Sequence, residues 1–330
     1  MKSFELYEPT TVQEAVGILA KFGNRARPLA GGSDLVAGVM KDWVAGDGMP
    51  LPDALVDLTT IPQLKGIKVD AQGATIGANT TLAEITESKE LAERFPLLTK
   101  AAQSVASQLI RNFATLGGNI NQRPRCWFFR GKDFNCFKKG GDFCYSVNGD
   151  NRYHAIIGGE SCYIVHPSDT AVALLALNAQ AKIAGPSGER TVAFDNYFTG
   201  PREDILRENI LKPEEILLEV FIPAPPAGTR QVWSKLKNRE VYDFAIVAVA
   251  AAFQVSDGTW TDGRVALGGV APVPYRATVV ENQLKGKPIQ AAIKQAAASI
   301  RTVARPMSMN AYKVDIAQTM IERTILSGLA

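Results

Sequence analysis

At 330 residues, the chain is long enough for two or three globular units with cores of their own. Its composition, 46% hydrophobic and 21% charged, argues against disorder. A net charge of +3 with no Lys/Arg-rich run argues against a nucleic-acid surface. Met1 to Tyr7 has neither the apolar core of a signal peptide nor a twin-arginine pair, and no run reaches the roughly 18 apolar residues of a membrane span. The expectation is a chain without an export signal or span of its own.

Thr11-Val12-Gln13-Glu14 has the spacing of a capping box and opens a helix with Val12, Ala15, Val16 and Leu19 on its inner face. Arg27 to Ala30 predicts a strand, followed by Gly31-Gly32-Ser33-Asp34, a helical stretch over Leu35 to Met40, and a second strand over Ala54 to Leu58. This β-α-β opening predicts a small α/β lobe over residues 1–60. Strands are expected at Leu64–Val69 and Ala74–Ala78, then a second capping box at Thr81-Leu82-Ala83-Glu84 and two helices ending near Ile110. A second glycine pair follows in Thr115-Leu116-Gly117-Gly118-Asn119. Residues of about 123–163 have no periodicity and are rich in Gly, Asn, Asp and aromatics, and irregular segments of that length in compact domains are commonly functional or disordered. Ser168 to Leu177 predicts a helix, and Gln180–Gly185 with Thr191–Phe194 a hairpin. The Pro/Gly-rich stretch Pro223 to Gly228 marks a boundary near residue 225. Strands at Val232–Leu236, Phe244–Val255 and Gly263–Val270 then precede helices over Pro288–Val303 and Asn310–Leu326, the order of an α+β domain over 226–330 with its helices on one sheet face.

Three features carry chemistry. Each glycine pair follows an apolar stretch and is bordered by small polar residues, so its backbone N–H groups can approach a phosphate closely; either pair could also be a plain tight turn. Neither fits G-x-G-x-x-G, which argues against a Rossmann site. The four cysteines, Cys126, Cys136, Cys144 and Cys162, all lie in the irregular segment with spacing C-x9-C-x7-C-x17-C, which lacks the C-x2-C pair of a zinc knuckle. An iron–sulfur cluster, zinc, disulfides and four inert thiols are the alternatives, and a long loop can bring four thiolates to one cluster without regular spacing. Arg123, Arg125, Arg130, Lys132, Lys138 and Lys139 surround them, either as a solvated basic loop or as counter-charge to a cluster. His154 and His166, the two histidines, are either structural or ligand residues.

Pro28-Leu29-Ala30-Gly31-Gly32-Ser33-Asp34-Leu35, followed some 80 residues later by Ile110 to Ile120, and then His166-Pro167-Ser168-Asp169, Lys235 to Arg239 and Ala266 to Val270, resemble the FAD-binding medium subunit of the xanthine dehydrogenase / aldehyde oxidoreductase (molybdenum hydroxylase) family. The resemblance covers the chain. It implies an α+β, two-lobed FAD-binding fold of the vanillyl-alcohol-oxidase-like kind, with its second lobe over 61–225, then a CO-dehydrogenase-flavoprotein-type C-terminal domain. By position, Ala30, Gly31, Gly32, Ser33, Asp34 and Leu35 would form the first FAD cradle and Thr115, Gly118, Asn119 and Gln122 the second. Asp169 matches the family's acidic residue, Ile216 and Leu217 its aliphatic packing, and Lys235 a lysine near the isoalloxazine. Gln122 departs from the small hydroxyl residue of many relatives. Arg239 and Tyr242 are further candidates for covering or tuning the ring. The first loop has no histidine, so a noncovalent flavin is expected.

The four-cysteine segment resembles the insertion of a branch like the bacterial periplasmic-type aldehyde oxidoreductases and the 4-hydroxybenzoyl-CoA reductases, in which Cys126, Cys136, Cys144 and Cys162 would hold a [4Fe–4S] cluster. The resemblance further implies a large partner with the molybdenum cofactor and the substrate, a small partner with two [2Fe–2S] clusters, and an external electron acceptor. Catalytic residues are not expected on this chain, and residence is expected in the cytoplasm, or in the periplasm by export with a signal-bearing partner. Rival readings are a reductase with inward electron flow, a zinc-stabilised non-enzymatic binding or assembly module, and a self-sufficient oxidase.

Overall fold

The structure, a computed structural model, describes residues 2–40 and 44–329. Thr11 caps the first helix, Val12–Phe22, by accepting from the Glu14 N–H, and Val12, Ala15, Val16 and Leu19 form its buried face. The Glu14 carboxylate reaches back to the Thr10 N–H at 2.9 Å instead of that of Thr11, so the box closes one residue earlier than the spacing suggested. This helix packs on a parallel sheet of β1 (Glu5–Tyr7), β2 (Ala26–Leu29) and β3 (Ala54–Asp57), in the order β1-β3-β2. The stretch after Gly31-Gly32 is a short π-type helix, Leu35–Val39.

A second, five-stranded antiparallel sheet follows. It contains β4 (Ile67–Asp70), β5 (Gly73–Gly77), β6 (Gln180–Gly185), β7 (Gly188–Ala193) and β8 (Ile216–Pro223), in the order β4-β5-β8-β6-β7. The expected hairpin is β6–β7. Its central strand, β8, was not foreseen, because Ile216 and Leu217 were read only as side chains facing a ligand. The two helices expected before Ile110 are four short ones, Leu82–Glu87, Lys89–Arg94, Pro96–Gln103 and Gln108–Arg111. Thr81 opens the first with a complete capping box, Ser88 and Ser107 cap the second and fourth, and Pro96 starts the third. Ser168 caps the helix Asp169–Ala176, every residue of which is buried.

The third sheet is antiparallel, β12-β11-β10-β9, from β9 (Arg230–Leu236), β10 (Val247–Ser256), β11 (Thr259–Gly268) and β12 (Tyr275–Arg276). Alternate residues of β10 serve two cores. Val249, Ala251 and Phe253 pack with Ile293, Ala296, Ile321 and Ile325 of the following helices. Ala250 faces the other way, into the core that contains helix Asp169–Ala176. The C-terminal helices therefore lie on one face, as expected, and the helix from the preceding unit covers the other. Thr278–Leu284 is an additional helix ahead of Ile289–Ala298, Ile300–Val303 and Tyr312–Ser327.

Candidate functional site: a glycine-lined cleft beside a four-thiol void

The two glycine motifs meet across the first and second sheets. A Cβ on Gly31 would collide with the Phe113 carbonyl, so the first loop presses directly on the residue that leads into the second motif. Gly32 has φ +68°, which only glycine adopts without strain. Thr115 caps the helix Leu116–Ile120, its Oγ1 accepting from the Gly118 N–H at 3.1 Å, and the Gly117 N–H donates to Ala78.

These loops open onto a cleft of about 530 Å³. Ala30, Gly31, Gly32, Ser33, Asp34, Leu35, Thr115, Gly118, Asn119, Gln122, Asp169, Ile216, Leu217 and Lys235 all line it, as do Arg239 and Tyr242. Several of these polar groups are already engaged by the protein. Asn119 Oδ1 accepts from Ser168 and Thr170 hydroxyls, each at 2.6 Å, and Gln122 links the Asn119 carbonyl to the Arg125 guanidinium. Lys235 is paired with Asp169 at 2.6 Å and donates to the Ser104 carbonyl, with both charges buried. Burial raises the Asp169 carboxyl above its usual range against the opposing pull of the Lys235 ammonium.

Asp34 has a role that its place in the glycine loop did not suggest. Its carboxylate receives Arg125 at 2.6 Å, Arg130 at 2.8 Å and the Arg123 N–H at 2.7 Å. Burial disfavours its charge, but the two guanidiniums and the N–H outweigh burial and hold its carboxyl below the ordinary range. The first cradle is thereby tied to the start of the cysteine segment. Arg27 also lines the cleft, and burial lowers its guanidinium, like that of Arg125, to about 10. Both were missed as cleft residues, since an arginine in a strand or loop carries no sequence mark of the direction it faces. At the mouth, Tyr242 has φ +58°, an uncommon conformation for a bulky residue, and its carbonyl accepts from Arg239 at 2.7 Å.

Next to the cleft, Cys126, Cys136, Cys144 and Cys162 line one small void with His154, Phe128, Phe129 and Ile164. All four are free thiols, so disulfides are not the pattern here. Burial pushes the Cys126 thiol up to about 12 and that of Cys162 to about 11. Among the described residues, no three His, Cys, Asp or Glu side chains are gathered as a single-ion site. The cations around the thiols are not a solvated basic loop, since most turn inward. Arg123 and Lys138 pair with buried Glu208 at 2.8 and 2.6 Å, Arg125 and Arg130 with Asp34, and Lys139 donates to the Gly131 carbonyl at 2.7 Å. Lys132 is exposed. His154 Nε2 lies 3.2 Å from Cys126 Sγ, whereas His166 Nδ1 accepts the Ser168 N–H at 3.4 Å and packs on Phe198.

A cleft between two α+β lobes, floored by glycine turns and edged with half-buried guanidiniums, defines a class of protein that holds a large anionic cofactor. The description "FAD binding domain in molybdopterin dehydrogenase" matches residues 2–225, and "CO dehydrogenase flavoprotein C-terminal domain" matches residues 232–327. The aldehyde oxidoreductase FAD-binding subunit PaoB of Escherichia coli K12 is 33% identical, covering 100% of this chain and 98% of that protein. The carbon monoxide dehydrogenase medium chain of Hydrogenophaga pseudoflava is 30% identical over 99% of this chain and 97% of its own length. A solved structure of the carbon monoxide dehydrogenase from that organism, lacking the Mo-pyranopterin moiety, superposes with a TM-score of 0.78 at 29% identity, covering 99% of this chain and 98% of that one. The chain belongs to the FAD-binding subunits of the molybdenum hydroxylase family. Among the described residues no helix is long and apolar enough to cross a membrane.

Proposed function

We propose that this chain is the flavin- and [4Fe–4S]-bearing subunit of a heterotrimeric, molybdenum-containing aldehyde oxidoreductase. On this reading residues 1–60 and 61–225 are the two flavin lobes, with the cysteine insertion at about 123–163, and 226–330 is the C-terminal domain. A large partner oxidises the substrate, and a small [2Fe–2S] partner hands the electrons on.

The observation that carries the flavin assignment is the cleft itself. The Gly31 and Gly32 turn and the Thr115-to-Asn119 turn face one volume, into which Arg27 and Arg125 bring positive charge suited to a diphosphate. Ile216 and Leu217 offer an apolar wall, and the Asp169–Lys235 pair places a buried dipole at the cleft floor. When bound, the flavin supplies the step between single-electron carriers and an external acceptor. The chain's residues position it, exclude water from its phosphates and leave the Tyr242 side open.

The convergence of four thiols on one shared void supports a cluster site. A [4Fe–4S] cube takes four thiolates, one on each iron, and the cysteine spacing lacks the C-x2-C pair of a zinc knuckle. Burial raises the protonation range of Cys126 and Cys162, so loading displaces protons from them and assembly is favoured by rising pH. The aldehyde assignment is supported by the full-length similarity to PaoB.

The test is purification of the native complex, with iron, molybdenum and flavin analysis, followed by a panel of aldehydes, purines and acyl-CoA thioesters. Flavin absorbance over a broad iron–sulfur background, with turnover of aldehydes, is the expected outcome. A colourless protein eliminates the redox reading, and iron no greater than that of the small partner's two [2Fe–2S] clusters, or zinc on this chain, eliminates the cluster.

A further inference from the structure

His154 lies outside the cleft and lines the same void as the four thiols, where several interactions fix it. Its N–H donates to the Asn151 carbonyl at 3.0 Å. Its own carbonyl accepts from Lys313 Nζ at 2.9 Å and from Asn310 Nδ2 at 3.1 Å, both at the start of the C-terminal helix. Lys313 is fully buried there, and all three of its acceptors, the carbonyls of Tyr153, His154 and Gly269, are backbone. The imidazole is boxed by Trp127 and Phe128, with ring centres 5.6 and 6.1 Å away. That leaves one polar contact for the ring, Nε2 to Cys126 Sγ at 3.2 Å, while Nδ1 is buried without a partner among the described residues.

The direction of that contact follows from chemistry. A thiolate ligated to iron has no proton to give, so it can only accept, and the ring proton belongs on Nε2. A proton on Nδ1 would instead be a buried donor without an acceptor. We propose that His154 is a potential-setting residue for the cluster: its Nε2–H donates to the Cys126 sulfur, and Asn310 and Lys313 of the C-terminal domain hold the ring on that line. A hydrogen bond to a cluster sulfur favours the more negative, reduced form and raises the reduction potential. The C-terminal domain thus sets the redox property of a centre whose ligands all lie outside it. This inference rests on the iron–sulfur reading above.

The test uses the purified complex and two variants. His154→Phe keeps a ring of similar size in the aromatic box and removes the donor, and His154→Gln returns an N–H near the Nε2 position. Iron and flavin are counted, and the midpoint potentials of cluster and flavin are followed by redox titration with EPR and visible detection. The expected result is unchanged iron and flavin in both variants. The cluster midpoint falls in H154F and moves back toward the parent in H154Q, while the flavin midpoint stays in place. An unmoved midpoint in iron-replete H154F overturns the proposal. So does equal loss of iron from both variants, which would make His154 a matter of shape. A parent complex with flavin but no iron beyond that of the small partner's two [2Fe–2S] clusters overturns the iron–sulfur reading itself, before any variant is compared.

Discussion

Gly31 shows how much one missing atom controls at the cleft. Its Cα faces the Phe113 carbonyl with no room for a Cβ, so Gly31→Ala must push the two glycine motifs apart. The expected outcome is a loss of about 1–3 kcal/mol, the usual cost of forcing atoms into a packed site, and a flavin-to-protein ratio well below that of the parent. Full flavin occupancy in the variant would mean that the loops are not pressed together in the folded chain. The doublet was visible in the sequence as a turn, but its closeness to Phe113 was not, because that contact joins residues some 80 positions apart. His166 makes a pH prediction. Burial lowers its imidazole to about 4, with the Glu208 carboxylate opposing. Unfolded, the ring titrates near 6.5, so between these values the unfolded chain binds the extra proton and stability falls with falling pH. The loss amounts to an order of 3 kcal/mol over that window. Urea midpoints from pH 7 to 4 should therefore drop more steeply for the parent than for His166→Phe. Parallel curves would show that the histidine carries no such linkage.

At the level of elements, the sequence was most readable where a local mark exists. Thr11 and Thr81 cap helices as expected, Ser168 caps the helix expected to begin with it, and the pattern Val12, Ala15, Val16, Leu19 is the buried face of its helix. The extra breaks after residue 87 also have marks, Ser88, Pro96 and Ser107, which sit within an apolar run that masks them. Two strands had none. β1 is three residues long and mostly exposed, and only its pairing with β3 makes it a strand. β8 lies between β5 and β6, and although its burial alternates over Leu218–Pro223, the apolar runs Ile216-Leu217-Leu218 and Val220-Phe221-Ile222 hide that alternation in the sequence. A strand in that place should be costly to weaken. Ile222→Ala removes a fully buried side chain from the central strand and is expected to cost about 2–5 kcal/mol. The protein that remains folded should keep its full complement of flavin, because Ile222 is not among the cleft residues. Chemical denaturation monitored by circular dichroism, with flavin content measured alongside, checks both parts. A cost below about 1 kcal/mol would contradict the central position of the strand.

Across the whole molecule, the three sheets could be anticipated from the order of strands and helices, but what joins them could not. The joining piece is the segment of about 123–163, which the sequence presented only as irregular. It reaches the first unit through Asp34 and through the Lys139 carbonyl, which accepts from the Gly48 N–H. It reaches the second unit through Glu208, and the third through Asn151, Asn310 and Lys313. None of these partners is within a helix turn or a hairpin of the other, so local pattern could not reveal them. Asp34 is the joint where this arrangement touches the cleft. Its carboxylate pairs with Arg125 and Arg130 and orients the Arg123 N–H, while its backbone belongs to the first glycine turn. Removing one member of such a half-buried charge group leaves the others uncompensated, which costs about 3–5 kcal/mol for fully buried pairs and less here, where water still reaches the edge. Asp34→Asn should therefore disturb both ends at once. Flavin and iron per polypeptide should fall together, and limited proteolysis should open first within residues 123–163. Lys235→Met is the comparison, because it breaks the buried Asp169–Lys235 pair without touching the cysteine segment. That variant is expected to lower the denaturation midpoint while iron stays bound. If Asp34→Asn lost flavin and kept all its iron, Asp34 would be a cofactor contact alone, and the cleft and the thiol void would be independent sites in one fold.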